Sequence, residues 1–125
     1  MATRWTELIV DSADPQRLAE FWAEVLGWQR TDAYVDDEDG AVNIAPTDGD
    51  GQGPTITFLR TPDERVVKNR LHIDLNPTGG ADQATELERL LALGARHVDI
   101  GQGEQTWFVL ADPEGNEFCL LRSPV

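Results

Sequence analysis

The sequence predicts an α+β fold made of two βαβββ modules. Three observations predict it: two amphipathic helical stripes that each end at a Leu-Gly pair, strand-like runs grouped around each stripe in the same order, and a matching interval in each half. Twenty positions separate Glu7 from Gly27, and 22 separate His72 from Gly94.

The first strand is Glu7-Leu-Ile-Val-Asp11. Asp14-Pro15 then supplies an N-cap and a proline at the first helical position, where its missing N–H costs nothing. Leu18, Phe21, Trp22, Val25 and Leu26 follow at helical spacing, and Gly27 ends the stripe. Three strands are expected next, at 28–35, 41–45 and 55–60, separated by 36–40 and 47–54.

After a polar linker at 61–70, the second module opens with a strand at 71–75 and a helix over about 81–93, whose stripe is Ala84, Leu87, Leu90 and Leu91. Strands are expected at 97–100, 107–111 and 117–122, the last two joined by the turn residues Asp112-Pro-Glu-Gly-Asn116. Module one thus covers about 5–60 and module two about 71–123. Neither covers its own sheet, so the two are expected to associate as one domain over 1–125.

Composition excludes several classes of function. With 10 Lys and Arg against 23 Asp and Glu, the net charge of -13 repels nucleic acid and anionic membranes. No apolar run approaches the length of a membrane span, and the first residues lack a secretory pattern, so a cytoplasmic protein is expected. Cys119 is the single cysteine, which excludes an intrachain disulfide and a cysteine-cluster zinc site.

Four segments carry a resemblance: Asp14-Pro-Gln-Arg-Leu-Ala-Glu-Phe-Trp22 with Leu26-Gly-Trp28, Lys68-Asn-Arg-Leu-His-Ile-Asp-Leu75, Leu93-Gly-Ala95 and Asp112-Pro-Glu-Gly-Asn-Glu-Phe-Cys119. In these the chain resembles the vicinal oxygen chelate superfamily, the glyoxalase, bleomycin-resistance and extradiol-dioxygenase group, and within it small glyoxalase-like domain proteins. The resemblance implies a curved, eight-stranded mixed sheet around a cavity, with the helices outside. It also implies a small-molecule ligand and a homodimer.

Strand alternation assigns side chains to the two faces. Leu8, Val10, Leu71, Ile73, Leu75, Phe118 and Leu120 are expected against the helices. Glu7, Ile9, Asp11, Thr57, Leu59, His72, Asp74, Glu117, Cys119 and Leu121 then face the cavity, and Trp107 lines the same space.

Metal-dependent members of the superfamily draw one ligand from each of four strands. Mapped onto this chain, the resemblance places those positions at Glu7, Leu59, His72 and Cys119, with the repeat relating Glu7 to His72 and Leu59 to Cys119. An aliphatic Leu59 leaves a divalent ion one donor short, so no metal cofactor is expected; if one binds, Glu7, His72 and Cys119 are its ligands, with Glu117 as substitute.

Each candidate also has a plain structural reading. Glu7 and His72 are the acid–base candidates, and His72 equally suits a hydrogen bond to Glu7. Cys119 lacks a flanking Lys, Arg or helix N-terminus to activate it and reads as a small buried side chain. Arg70 suits either a bidentate contact to a carboxylate or phosphate, or pairing with surface acids. The tryptophans Trp5, Trp22, Trp28 and Trp107 read mostly as core, with Trp107 the best placed to stack on a flat ligand. The acidic run 36–39 lacks the spacing of a calcium loop and reads as a solvated turn.

Two functions remain from the sequence. One is a binding protein holding a small organic metabolite in its cavity. The other is a metal-dependent lyase, isomerase or dioxygenase, or a metal-free enzyme working through Glu7 and His72.

Overall fold

The computed structural model describes residues 1–31, 40–47, 53–64, 66–99 and 101–125. Its elements run β1 (Glu7–Ser12), α1 (Pro15–Leu26), β2 (Trp28–Thr31), β3 (Val42–Pro46), β4 (Thr55–Arg60), β5 (Ile73–Leu75), α2 (Gln83–Leu93), β6 (Arg96–His97), β7 (Phe108–Ala111) and β8 (Glu117–Leu120). This is βαβββ twice. The expected end of the second strand at 32–35, the acidic run 36–39, and position 100 lie outside the described residues.

The eight strands form two four-stranded mixed sheets of identical topology, ordered β1-β4-β3-β2 and β5-β8-β7-β6. In each, the first strand pairs in parallel with the last, and the other pairings are antiparallel. The chain divides into two compact units, Met1–Glu64 and Arg65–Val125, and the division falls within the polar linker.

In the first unit α1 starts where Asp14 accepts the Arg17 amide at 3.3 Å, with Pro15 as its first residue. It stops at Gly27, whose φ of 67° is left-handed backbone, and the Gly27 N–H donates to the Ala23 carbonyl. The stripe Leu18, Phe21, Trp22 and Val25 is buried, and Phe21 meets Trp22 edge to face at 5.3 Å. α1 lies against all four strands of its sheet, whose core residues Val42, Ile44, Ile56 and Phe58 are buried. Side chains of this size each contribute roughly 1.5–3 kcal/mol on full burial.

In the second unit Asp82 caps α2 by accepting the Thr85 amide at 2.8 Å, and Gln83 Nε2 donates to the Leu120 carbonyl at 3.2 Å, tying the helix start to β8. Leu90, Leu110, Phe118 and Leu120 are almost wholly buried.

Three apolar residues depart from the expectation. Leu71 is 83% exposed because β5 begins two residues later. Ala84 is exposed, so the stripe of α2 narrows to Leu87, Leu90 and Leu91. Trp5 is 64% exposed outside the core, its ring nitrogen donating to the Glu7 carbonyl at 2.9 Å.

Candidate functional site

Cross-strand register fixes which side chains share a face. In the second unit Ile73 pairs with Phe118, Asp74 with Cys119 and Leu75 with Leu120, while Val109 pairs with Cys119 from the other side. Buried Phe118 and Leu120 point one way, so Asp74, Cys119, Val109 and Glu117 occupy the opposite face. His72, one residue before β5, joins them. The Asp74 carboxylate, the His72 imidazole and the Cys119 sulfur offer ligand atoms within 4.8 Å of one another.

Within that cluster His72 Nε2 stands 3.3 Å from Asp74 Oδ1, and both side chains are close to half exposed. Cys119 is buried beneath them at 7% exposure. Burial pushes its thiol above the ordinary range, the Asp74 carboxylate adds to that, and the Lys68 ammonium opposes it weakly. A nearby lysine therefore exists after all, and it does not overcome the other two effects.

The turn before β8 holds the approach to this cluster. Asp112, 1% exposed, accepts the amides of Glu114 and Asn116 at 2.9 and 3.0 Å, and the Asn116 side chain donates to both of its oxygens. Asn116 Oδ1 in turn accepts from Asn69 Nδ2 at 3.1 Å. The Asp-Pro-Glu-Gly-Asn turn thereby anchors the segment that leads into His72. Arg70, in that segment, is exposed and makes no ion pair or hydrogen bond among the described residues.

Trp107, 37% exposed, precedes β7 on the Cys119 face, since it alternates with Phe108 and matches Val109 in phase. With His97, Gln102, Gln105, Phe108 and Val109 it lines a groove of about 420 Å³. Val109 links the two features, because it lines the groove and sits opposite Cys119.

The first unit carries a different arrangement on the face away from α1. Thr31 Oγ1 donates to Asn43 Oδ1 at 3.0 Å, and Asn43 Nδ2 donates to Thr57 Oγ1 at 2.7 Å and to Thr55 Oγ1 at 3.2 Å. Thr57 Oγ1 then donates to Glu7 Oε2 at 3.0 Å. Thr57 faces as expected. Asn43 was not singled out from the sequence, although a polar residue between Val42 and Ile44 in a strand is the signal that finds it.

Register also corrects the expected equivalence of the two modules. Leu59 pairs with Asp11, and Cys119 pairs with Asp74. If Leu59 matches Cys119, then Asp11 matches Asp74, and the counterpart of His72 is Ile9 and not Glu7. Glu7 pairs with Thr55, four residues from Leu59, about 13 Å along the strand. The four-position ring suggested by the resemblance therefore fits a metal poorly in the first module: Leu59 has no donor atom, and the Glu7 carboxylate is taken up by Thr57.

The sequence pattern of the glyoxalase-like domain matches residues 7–121. No curated protein matches the chain. Among solved structures, it is similar to the fosfomycin resistance protein FosX from Listeria monocytogenes, at 16% identity and a TM-score of 0.67, over 98% of this chain and 93% of that one. FosX from Mesorhizobium loti aligns at 16% identity and a TM-score of 0.64, over 96% and 90%. A glyoxalase/bleomycin resistance protein/dioxygenase family enzyme from Burkholderia phytofirmans aligns at 17% identity and 0.64, over 92% and 94%. Repeated βαβββ topology, a pattern match across nearly the whole length and these shared folds lead to one conclusion: the chain belongs to the glyoxalase-like domain family of the vicinal oxygen chelate superfamily.

Proposed function

We propose that the chain binds a small organic metabolite on the polar face of its second module. The observation that carries this reading is the convergence of His72, Asp74 and Cys119 on one face, with Val109 joining them to the groove under Trp107. A flat or partly apolar ligand would lie on Trp107, with Gln102 and Gln105 as adaptable hydrogen-bond partners. Its polar end would meet His72, and Arg70 would hold a carboxylate or phosphate if the ligand carries one. Glu117, buried on the same face, would shape the floor beside Cys119.

His72 is the acid–base residue of this reading. It is exposed enough to reach a substrate proton, and Asp74 at 3.3 Å orients its ring. Glu7 is the acid–base candidate of the first module, its carboxylate positioned by Thr57. A metal-dependent lyase, isomerase or dioxygenase is the second reading, favoured by the same three donors.

Among the described residues no helix is long and apolar enough to cross a membrane. We place the protein in the cytoplasm as a homodimer; light scattering at micromolar concentration should then give twice the 13.8 kDa of one chain.

Native mass spectrometry of freshly purified protein, with thermal-shift titrations of fosfomycin and bleomycin as probes, tests the ligand reading. A retained small molecule or a probe-induced rise in Tm, either one lost in His72→Ala, supports it. Protein at its bare mass with neither probe raising Tm contradicts it, as does binding that His72→Ala leaves unchanged.

A further inference from the structure

We infer that Lys68 and Arg70 form an oxyanion subsite at the edge of the His72 face, and that the second module's ligand is an organic acid whose carboxylate or phosphonate binds there. The inference rests on the metabolite reading and adds to it the ligand's charge and orientation.

Charge distribution is the first support. The nine residues 65–73 hold three basic side chains and no acidic one, in a chain of 23 acids and net charge -13. An anion is repelled by the protein as a whole, so a local reversal of charge decides where it can settle. Among the described residues neither Lys68 nor Arg70 meets a carboxylate. Lys68 Nζ donates only to the neighbouring Asn69 carbonyl, at 3.2 Å, whereas Arg89 on α2 is paired with Glu86 at 2.7 Å.

The way the segment is held supplies the second support. Asn69, half-buried between the two exposed cations, donates to Asn116 Oδ1 at 3.1 Å, and Asn116 is itself fixed by buried Asp112. Both cations therefore extend from an anchored stretch of chain, which lowers the freedom lost on binding. Two residues of chain span at most about 7 Å, so the ammonium and the guanidinium can reach one oxyanion, and the same interval leads from Arg70 to His72. The Lys68 charge already reaches this face, where it acts on the Cys119 thiol.

Chemistry of the two groups supplies the third. A guanidinium grips a carboxylate or phosphonate with two parallel hydrogen bonds, and an ammonium adds a point charge with further donors. Glu104 in the wall of the groove disfavours the acid end there, which sets the ligand's direction. The acid end sits at Lys68 and Arg70, the adjacent atoms meet His72, and the apolar remainder is left for Val109 and Trp107.

An NMR titration of the labelled full-length protein with phenylphosphonate, benzoate and benzylammonium tests the inference, because the three probes share a ring and differ in charge. At least one acid should give saturable shifts centred on residues 68–72, with benzylammonium at least about tenfold weaker; comparison of the two acids separates phosphonate from carboxylate. Lys68→Gln and Arg70→Gln should each weaken the acid at least about tenfold, and Lys68→Arg should retain most of the affinity. Arg89→Gln changes the net charge equally, away from the segment, and should leave affinity unchanged. Acid binding that neither Lys68→Gln nor Arg70→Gln weakens overturns the inference. Tighter binding of benzylammonium, with shifts at His72 and Trp107, overturns it alone and leaves the metabolite reading standing. No shift from any probe, with protein at its bare mass in native mass spectrometry, contradicts both.

Discussion

Asp74 stands directly across the β5–β8 ladder from Cys119, and this pairing gives the second module a polar cluster with no counterpart among the described residues of the first. The corresponding pairing in the first module joins Asp11 to Leu59. The two βαβββ units thus share one topology while their polar faces differ. One face presents His72, Asp74 and Cys119, and the other presents a hydrogen-bonded chain from Thr31 through Asn43 and Thr57 to Glu7.

Asp112 determines how well the approach to His72 is held. Replacing it with alanine removes, at a nearly fully buried position, the acceptor for two part-buried backbone amides and for the Asn116 side chain. A loss of about 1–3 kcal/mol is expected from the unpaired donors, read as a lower urea midpoint. Because Asn116 also holds Asn69, Asp112→Ala should loosen the segment that leads into His72, read as faster amide hydrogen exchange there.

The polar chain of the first module is structural in the same sense. Asn43→Ala strips the amide that bridges Thr31, Thr55 and Thr57, and the buried Thr57 hydroxyl loses a partner. Destabilisation of about 1–3 kcal/mol is expected by urea denaturation. Glu7→Gln should cost less, since Glu7 is exposed and a glutamine oxygen still accepts from Thr57.

Asp82 gives the second helix an acid-sensitive start. Hydrogen bonds from the Thr85 amide and hydroxyl hold the Asp82 carboxyl below its ordinary range. A folded-state value lower than the unfolded one means that the contribution is fully present above the ordinary carboxylate range and is lost as pH falls through the folded value. Asp82→Ala should therefore lower Tm at pH 7, and the gap to the unmodified protein should narrow below about pH 4.

Much of the fold was legible in the sequence because it is written in local signals. Asp14-Pro15 and Gly27 bound α1, and β4 runs from Thr55 to Arg60 as its alternation and turn residues indicate. Leu71 was less legible because an apolar residue beside a strand reads as its continuation, whatever its exposure. Alternation correctly placed Asp74 and Cys119 on one face, yet their direct partnership depends on the register between strands more than 40 residues apart. Register is a long-range property, so the mapped set of Glu7, Leu59, His72 and Cys119 did not include Asp74, the direct partner of Cys119. The anchoring of Asn69 by Asn116 was hidden for the same reason.

A two-dimensional NMR titration of the labelled protein with fosfomycin and with bleomycin tests the central claim most directly. The account predicts that at least one probe gives saturable shifts concentrated at His72, Asp74, Trp107 and Cys119. Saturable shifts confined to other residues, or none with either probe, would contradict it.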